Sequence, residues 1–203
     1  MKAQNKVSVF LVDDNEMFLK TLALSLGEYF KSEVQIESFT TGEECLKKIQ
    51  KNPQTAVDVV VLDYHLNTEL EKAMNGIDVL KKIKEINSRI VVVMLSAEDK
   101  LQILVDCVKY GAYEYVVKSE TAFVRTQLIL KNSIEKEFNS KILKTTMTIM
   151  EKYPELYNYI EEMQETIPGE KDSEITLTNL KSYYDSLNSM LNKYILEHPV
   201  TVK

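Results

Sequence analysis

The sequence predicts a doubly wound α/β domain, an open parallel sheet with helices on both faces, followed by a helical C-terminal region. Between residues 7 and 118, short runs rich in β-branched residues alternate with stretches whose apolar residues recur at helical spacing. Three of the five runs are nearly continuous apolar segments, which is typical of strands buried on both faces of a parallel sheet. Strands that alternate with helices favour right-handed crossovers within one open sheet.

The elements of this domain follow one another at regular intervals. The predicted strands are VSVFLV (7–12), VQIESF (34–39), VDVVVL (57–62), RIVVVML (89–95) and EYVV (114–117). The helices between them are marked by apolar residues mostly three or four positions apart: Phe18, Leu22, Leu26 and Tyr29; Cys45, Leu46 and Ile49; Val79, Leu80 and Ile83; Leu101, Leu104, Val105 and Val108. We therefore expect one domain over residues 1–130 and a second region over 131–203.

Composition and charge disfavour several classes of function. The 203 residues are 44% hydrophobic and 28% charged, with a formal net charge of −6. Residues 1–120 carry 15 basic and 19 acidic side chains, and the rest of the chain carries 10 and 12. Neither part is a basic block, which disfavours nucleic acid as a partner. The apolar runs are too short for a signal peptide or a membrane span, so the sequence predicts a cytoplasmic protein without a membrane partner.

Chemically active side chains follow four of the predicted strands. Asp13 and Asp14 follow the first strand, Asp63 the third, Ser96 the fourth and Lys118 the fifth. Because open α/β sheets bind ligands at the carboxyl ends of their strands, we expect these groups to converge on one edge. Each has an ordinary explanation alone, a helix N-cap for Asp or Ser and solvated surface for Lys. Their joint occurrence favours a functional site.

Three clustered carboxylates favour a divalent cation, because their charges repel one another and Mg²⁺ takes oxygen ligands. One carboxylate can then act as a nucleophile and form an aspartyl phosphate. The metal and a lysine ammonium neutralise phosphoryl oxygens during transfer, and a serine hydroxyl donates a hydrogen bond to one of them. We expect the third strand to lie centrally, so Asp63 is the better nucleophile candidate and the Asp13/Asp14 pair the better metal site.

The segments LVDDN, VVLDY, VVMLSA and YEYVVKS, in this order, resemble the response-regulator receiver domain of two-component signalling, which has a flavodoxin-like fold. The resemblance covers about residues 5–130. It implies that Asp63 accepts a phosphoryl group from a sensor histidine kinase or a phosphotransfer protein. It also implies that Mg²⁺ or Mn²⁺ is bound by Asp13, Asp14, Asp63 and the backbone carbonyl of His65.

The same resemblance assigns roles to four further residues. Ser96 and Lys118 would contact the phosphate. Tyr115 would be the aromatic switch residue, whose side chain turns inward when the serine hydroxyl is drawn toward the phosphate. Ala97 is small, which would leave the acceptor accessible to a phosphoryl donor. For His65, a phosphohistidine or an imidazole metal ligand is one interpretation, but strand alternation favours a side chain at the mouth of the site.

Two departures from the family pattern concern loop geometry. The family usually has a proline shortly after the acceptor and a glycine a few residues later, whereas here Asn67 replaces the proline and the glycine, Gly76, arrives later. The longer loop, NTELEKAMNG, carries charged side chains beside the site. Ser119 replaces the proline that tends to follow the lysine, so we expect a trans or strained bond there, because a cis bond to a non-proline residue costs about 2.5–4 kcal/mol.

The last residues, 131–203, are predicted to be helical. One helix continues from about Glu120 to Lys152, and a second begins at Pro154 and ends at Pro168-Gly169, before the polar loop PGEKDSE. A third helix, capped by Thr176 or Thr178, carries an apolar seam: Leu177, Leu180, Tyr184, Leu187, Leu191 and Tyr194. This seam favours packing within a small helical bundle over an intermolecular coiled coil.

The C-terminal sequence carries neither a phosphate-binding loop nor a nucleophile-base motif, and Arg125 is the only arginine after residue 120. We therefore expect the C-terminal helices to bind an unknown protein partner or to form a homodimer, and the protein to be a switch that catalyses only its own phosphorylation and dephosphorylation. Two alternatives stay open. One is a transcriptional regulator with an atypical DNA-binding tail. The other, with less support, is an Asp-dependent phosphotransfer enzyme, although Asp13-Asp14-Asn15 lacks the Asp-x-Asp pattern of the haloacid-dehalogenase type.

Overall fold

The computed structural model describes residues 6–31, 33–53, 57–66, 73–162 and 177–198. The chain forms two compact units, Met1–Leu130 and Lys131–Lys203. The first contains a five-stranded parallel sheet of order β2-β1-β3-β4-β5. Its elements, in chain order, are β1 (Val7–Val12), α1 (Glu16–Phe30), β2 (Val34–Phe39), α2 (Gly42–Lys51), β3 (Val59–Asp63), α3 (Gly76–Ile86), β4 (Val91–Ser96), α4 (Leu101–Lys109), β5 (Glu114–Val117) and α5 (Ala122–Lys152), which continues into the second unit.

This topology confirms the predicted doubly wound, flavodoxin-like fold. Three strands, β1, β2 and β5, have the predicted bounds, whereas β3 and β4 each begin two residues later and end one residue later than predicted. For β4 the reason is a turn: the Ile90 amide donates to the Asn87 carbonyl, which closes the end of α3 before pairing begins. Asp63 and Ser96 are the last residues of their strands.

Helices pack on both faces of the sheet. On one face, apolar side chains of β1, β3 and β4 form a continuous core with those of α2, α3 and α4. The helices contribute buried residues such as Ile49, Ile83 and Cys107. On the other face lie α1 and α5, which contact each other where Gln127 Nε2 donates to the Ser25 carbonyl over 3.2 Å. All residues of β3 are buried, as expected for a central parallel strand.

Two helices bury a different stripe from the one that their sequence suggests. The buried residues of α1 are Leu19, Leu22, Leu26 and Phe30, while Tyr29 is exposed. In α4 only Ile103 and Cys107 are buried. The predicted stripe of α4 is instead largely exposed: Leu101, Leu104, Val105 and Val108. Apolar residues occur on two sides of this nine-residue helix, so spacing alone could not identify its buried face.

The second unit contains the end of α5, then α6 (Pro154–Glu162) and α7 (Leu177–Glu197). The predicted seam of α7 is buried at Leu177, Leu180, Leu187 and Leu191. Within the unit, the Tyr184 ring lies 6.1 Å from the Phe138 ring of α5, and the Tyr194 hydroxyl donates to Glu155 of α6 over 3.3 Å. The predicted helix end at Pro168-Gly169, the PGEKDSE loop and the cap candidate Thr176 lie outside the described residues.

Among the described residues, no helix combines the length and apolar composition that crossing a bilayer requires.

Candidate functional site

Three carboxylates meet at the carboxyl ends of β1 and β3. One oxygen from each of Asp13, Asp14 and Asp63 lies within 4.8 Å of the others. Asp13 is 2% exposed and Asp63 is 4% exposed, whereas Asp14 is exposed. Two like charges are therefore held together away from water, an arrangement that favours a positively charged partner.

The first turn of α1 fixes the position of Asp13. The Asp13 amide donates a hydrogen bond to the Phe39 carbonyl over 3.2 Å, and Asp13 Oδ1 accepts one from the Asn15 amide over 2.9 Å. Asn15 in turn is the N-cap of α1 and accepts a hydrogen bond from the Phe18 amide. The Asp-Asp-Asn sequence thus ends β1, begins α1 and holds one carboxylate at the edge of the sheet.

Lys118, directly after β5, supplies a positive charge within the cluster. Its Nζ lies 2.6 Å from Asp13 Oδ2 and 2.9 Å from Asp63 Oδ1. Burial lowers the pKa of Lys118, but the hydrogen bond to Asp13 and the charges of both aspartates outweigh burial and hold this pKa above its ordinary value. Lys118 therefore stays charged at neutral pH.

The charge of Lys118 does not fully compensate the carboxylates. Burial, aided by the charge of Asp63, raises the pKa of Asp13 despite its hydrogen bond to Lys118. Asp63 Oδ1 is buried, and the Lys118 ammonium lies 2.9 Å from it. Three carboxylates whose oxygens lie within 4.8 Å of one another are a donor set that suits Mg²⁺. The residues present therefore fit a divalent cation.

Ser96, Tyr115 and Ala97 lie around the ends of β4 and β5. Ser96 is fully buried, and its Oγ accepts a hydrogen bond from the Glu98 amide over 3.1 Å. The Lys118 amide donates to the Ser96 carbonyl over 2.7 Å, which holds the two strand ends together. Tyr115 is buried and its hydroxyl donates to the Glu98 carbonyl. Ala97 is exposed.

His65 follows Asp63 by two residues, and its side chain is about one-third exposed. Its Nε2 is 3.2 Å from Glu98 Oε1, and Lys100 pairs with the other carboxylate oxygen of Glu98. Within the described part of the chain, the one group of three or more candidate metal ligands contains aspartates only. The imidazole of His65 therefore contacts the loop after β4 and is not part of that group.

The long loop after β3 is described only in part. Residues 67–72, with Glu69, Glu71 and Lys72, lie outside the described residues. The Gly76 amide donates to the Tyr64 carbonyl over 3.2 Å, so α3 begins directly against the end of β3. The Lys118-Ser119 bond is trans, since the described residues include no cis peptide.

Sequence reasoning missed two residues that contact the predicted set. Glu98 accepts the Tyr115 hydroxyl and contacts His65. The Phe18 ring lies 4.6 Å below the Lys118 ammonium. Its spacing in the sequence assigns Phe18 to the core stripe of α1, and no spacing rule connects it to a lysine at the far end of the domain's sequence. These contacts exist only through space.

Comparison with known proteins identifies the family. Residues 9–129 match the response regulator receiver domain. The two-component response regulator ORR27 of Oryza sativa subsp. japonica is 31% identical over 117 residues, which cover 58% of this chain and 17% of that protein. A protein-glutamate methylesterase/protein-glutamine glutaminase of Bacillus subtilis is 32% identical over 116 residues, covering 55% of this chain and 29% of that enzyme. The chain thus spans less than a third of either relative's length.

Other relatives match over most of their own length. The chemotaxis protein CheY of Listeria monocytogenes is 28% identical over 108 residues, covering 53% of this chain and 83% of that protein. A receiver domain from Clostridium thermocellum has the same fold, with a TM-score of 0.56 at 23% identity over 64% of this chain and 96% of that chain. The CheX–CheY–BeF₃–Mg²⁺ complex from Borrelia burgdorferi gives a TM-score of 0.52 at 27% identity, covering 62% of this chain and 87% of that chain.

The family match spans more than half of the chain and includes β2 to β5, all but the first two residues of β1 and all three clustered aspartates. Receiver domains are the phosphorylated signalling switches of two-component systems. The chain belongs to the response regulator receiver domain family and carries an additional helical region after its receiver domain.

Proposed function

We propose that Asp63 accepts a phosphoryl group from a sensor histidine kinase or a phosphotransfer protein, and that residues 1–130 are the receiver domain that this modification switches. The observation that carries the proposal is the half-buried Lys118 ammonium, which lies within 3 Å of both Asp13 and Asp63, the latter at the end of the central strand. An ammonium so placed can neutralise the phosphoryl group that Asp63 would receive.

In this reaction a carboxylate oxygen of Asp63 attacks the phosphorus atom. A new bond forms between this oxygen and phosphorus, and the bond between phosphorus and the donor's imidazole nitrogen breaks, with its electron pair remaining on the imidazole. Ser96 Oγ accepts a hydrogen bond from Glu98, which leaves the hydroxyl proton available for a phosphoryl oxygen.

Asp13, Asp14, Asp63 and the backbone carbonyl of His65 would hold Mg²⁺ or Mn²⁺. When bound, the cation supplies positive charge to the phosphoryl oxygens. The Borrelia complex, which contains Mg²⁺ and BeF₃, supports this assignment. Ala97, exposed next to Ser96, leaves room for the donor.

The test is the intact mass of the full chain after treatment with acetyl phosphate and Mg²⁺. We expect the wild type to gain one phosphoryl group and Asp63→Asn to gain none. The matched control is Asp78→Asn, which removes a carboxylate of α3 that pairs with Lys81. This variant should be phosphorylated like the wild type. Modification that survives Asp63→Asn would refute the proposal.

We propose that the second unit, residues 131–203, transmits the switch through protein contacts, to a partner or to a second copy, and that the protein acts in the cytoplasm as a switch and not as an enzyme. The balanced charge of these helices supports this output, and so does the continuity of α5, which begins in the receiver domain and extends into the second unit. Light scattering of the full chain before and after acetyl phosphate tests dimerisation. Salt-sensitive binding of duplex DNA by the full chain would instead support the transcriptional alternative.

A further inference from the structure

Phe18 belongs to a closed set of contacts around the candidate site. Asp13 Oδ1 accepts from the Asn15 amide, and Asn15 Oδ1 accepts from the Phe18 amide over 3.0 Å. The Phe18 ring then lies 4.6 Å from the Lys118 ammonium, which donates back to Asp13 Oδ2. The chain of contacts therefore begins and ends on the same aspartate.

The Phe18 ring is itself held in place by α5. Its centroid lies 5.4 Å from that of Phe123 in an edge-on arrangement, which is a favourable geometry for two aromatic rings. Phe18 is only half-buried, and it is not one of the four residues through which α1 packs on the sheet. Core packing alone therefore does not account for its position.

We propose that Phe18 is a positioning residue for phosphoryl transfer: its ring face holds the Lys118 ammonium at the site through a cation–π contact. The inference rests on the proposed function and extends it to a residue outside the carboxylates, serine and lysine. An ammonium that lies over an aromatic ring, partly shielded from water, is attracted by the negative ring face. The ring also limits the directions in which the long lysine side chain can turn.

This contact matters most when the carboxylate partner of Lys118 changes. Before transfer, Lys118 pairs with Asp13 and Asp63. After transfer, part of the negative charge lies on the phosphoryl oxygens, and the ammonium must shift toward them. The Phe18 ring keeps the Lys118 ammonium beside Asp63 during this exchange, because the attraction between ring and ammonium does not depend on either carboxylate.

The experiment measures the rate at which acetyl phosphate and Mg²⁺ phosphorylate the full chain. Phe18→Leu and Phe18→Met keep an apolar side chain but remove the ring, whereas Phe18→Tyr keeps the ring. We expect both aliphatic variants to react about three- to tenfold more slowly and Phe18→Tyr to stay within about twofold of the wild type. Phe138→Leu is the matched control, since Lys141 lies 5.6 Å from that ring outside the site, and its rate should not change.

A second measurement reports the contact without phosphorylation. Ring current should shift the Lys118 ε-methylene protons upfield in the wild type and in Phe18→Tyr, and this shift should vanish in Phe18→Leu. An unchanged rate in both aliphatic variants would overturn the inference. So would an unchanged lysine shift, or a tyrosine variant as slow as the leucine variant. If the wild type gains no phosphoryl group at all, the proposed function fails, which is a distinct result from equal rates.

Discussion

At the scale of single residues, Gly76 shows how closely the backbone approaches the candidate acceptor. A Cβ atom at this position would lie 2.1 Å from the Asp63 carbonyl oxygen and 2.8 Å from Tyr64 Cα. Both are backbone atoms, so neither can move aside without displacing the end of β3. The glycine that arrives late in the sequence is therefore required by packing against the site.

Gly76→Ala should destabilise the protein by about 1–3 kcal/mol and slow its phosphorylation, because the added methyl group displaces Asp63. Urea unfolding and the acetyl phosphate reaction measure the two effects. Gly27→Ala is the control: a Cβ there meets nothing within 4 Å, and alanine in a helix should stabilise by about 0.5–1 kcal/mol. Equal stability of the Gly76 variant and the wild type would contradict this packing.

The carboxylate cluster predicts a specific response to metal. Mg²⁺ should raise the melting temperature, and the increase should grow with the metal concentration because a ligand that binds the folded state stabilises it by mass action. Asp13→Asn should remove most of this increase, since Asp13 is a buried member of the cluster. Asp78→Asn, on exposed α3 surface, should keep it. Calorimetry with and without Mg²⁺ is the measurement, and an equal increase in all three proteins would argue against the site.

The candidate site could be anticipated from sequence because its members occupy comparable positions, just after or at the end of parallel strands. The structure brings Asp13, Asp14, Asp63 and Lys118 together as this rule expects. Phe18, Glu98 and the tight approach of Gly76 could not be anticipated. They depend on side-chain directions and loop paths that no periodicity encodes.

At the scale of secondary structure, α4 shows that the spacing of apolar residues can predict a helix without identifying the face that is buried. Apolar residues at helical spacing correctly predicted the helix, but its buried residues are Ile103 and Cys107, and the expected stripe is exposed. The strands were more predictable, because an apolar run such as that of β3 is buried on both faces and offers no choice of face.

Substitutions within α4 test this orientation directly. Ile103→Ala should cost about 2–4 kcal/mol of stability, because Ile103 is 6% exposed and belongs to the core. Val108→Ala, in the same helix at 63% exposure, should change stability by less than about 0.5 kcal/mol. Urea unfolding measures both losses of stability. A larger loss for Val108→Ala than for Ile103→Ala would mean that the opposite face of α4 packs against the sheet.

At the scale of the whole molecule, we propose a different role for each compact unit. Residues 1–130 carry out the phosphoryl chemistry, and residues 131–203 make the contacts with a partner. Leu187 of α7 is 1% exposed, and Leu196 near the end of the same helix is 81% exposed. The stability of the second unit should therefore depend on the Leu187 side chain and should not depend on that of Leu196.

Leu187→Ala should lower the stability of the C-terminal helices by about 2–4 kcal/mol while the acetyl phosphate reaction proceeds at the wild-type rate. Leu196→Ala should affect neither property. Hydrogen exchange resolved by peptide distinguishes the two units, and phosphorylation is followed by intact mass. A large loss of phosphorylation in Leu187→Ala would contradict the division of roles.

The most direct test of the central claim is to locate the phosphoryl group. Borohydride reduces an aspartyl phosphate to homoserine, so phosphorylated protein can be trapped, digested and mapped by mass spectrometry. We predict homoserine at position 63 after treatment with acetyl phosphate and Mg²⁺, and none in protein that received Mg²⁺ alone. Homoserine at position 13 or 14 instead, or at no aspartate, would contradict the assignment of Asp63 as the phosphoacceptor.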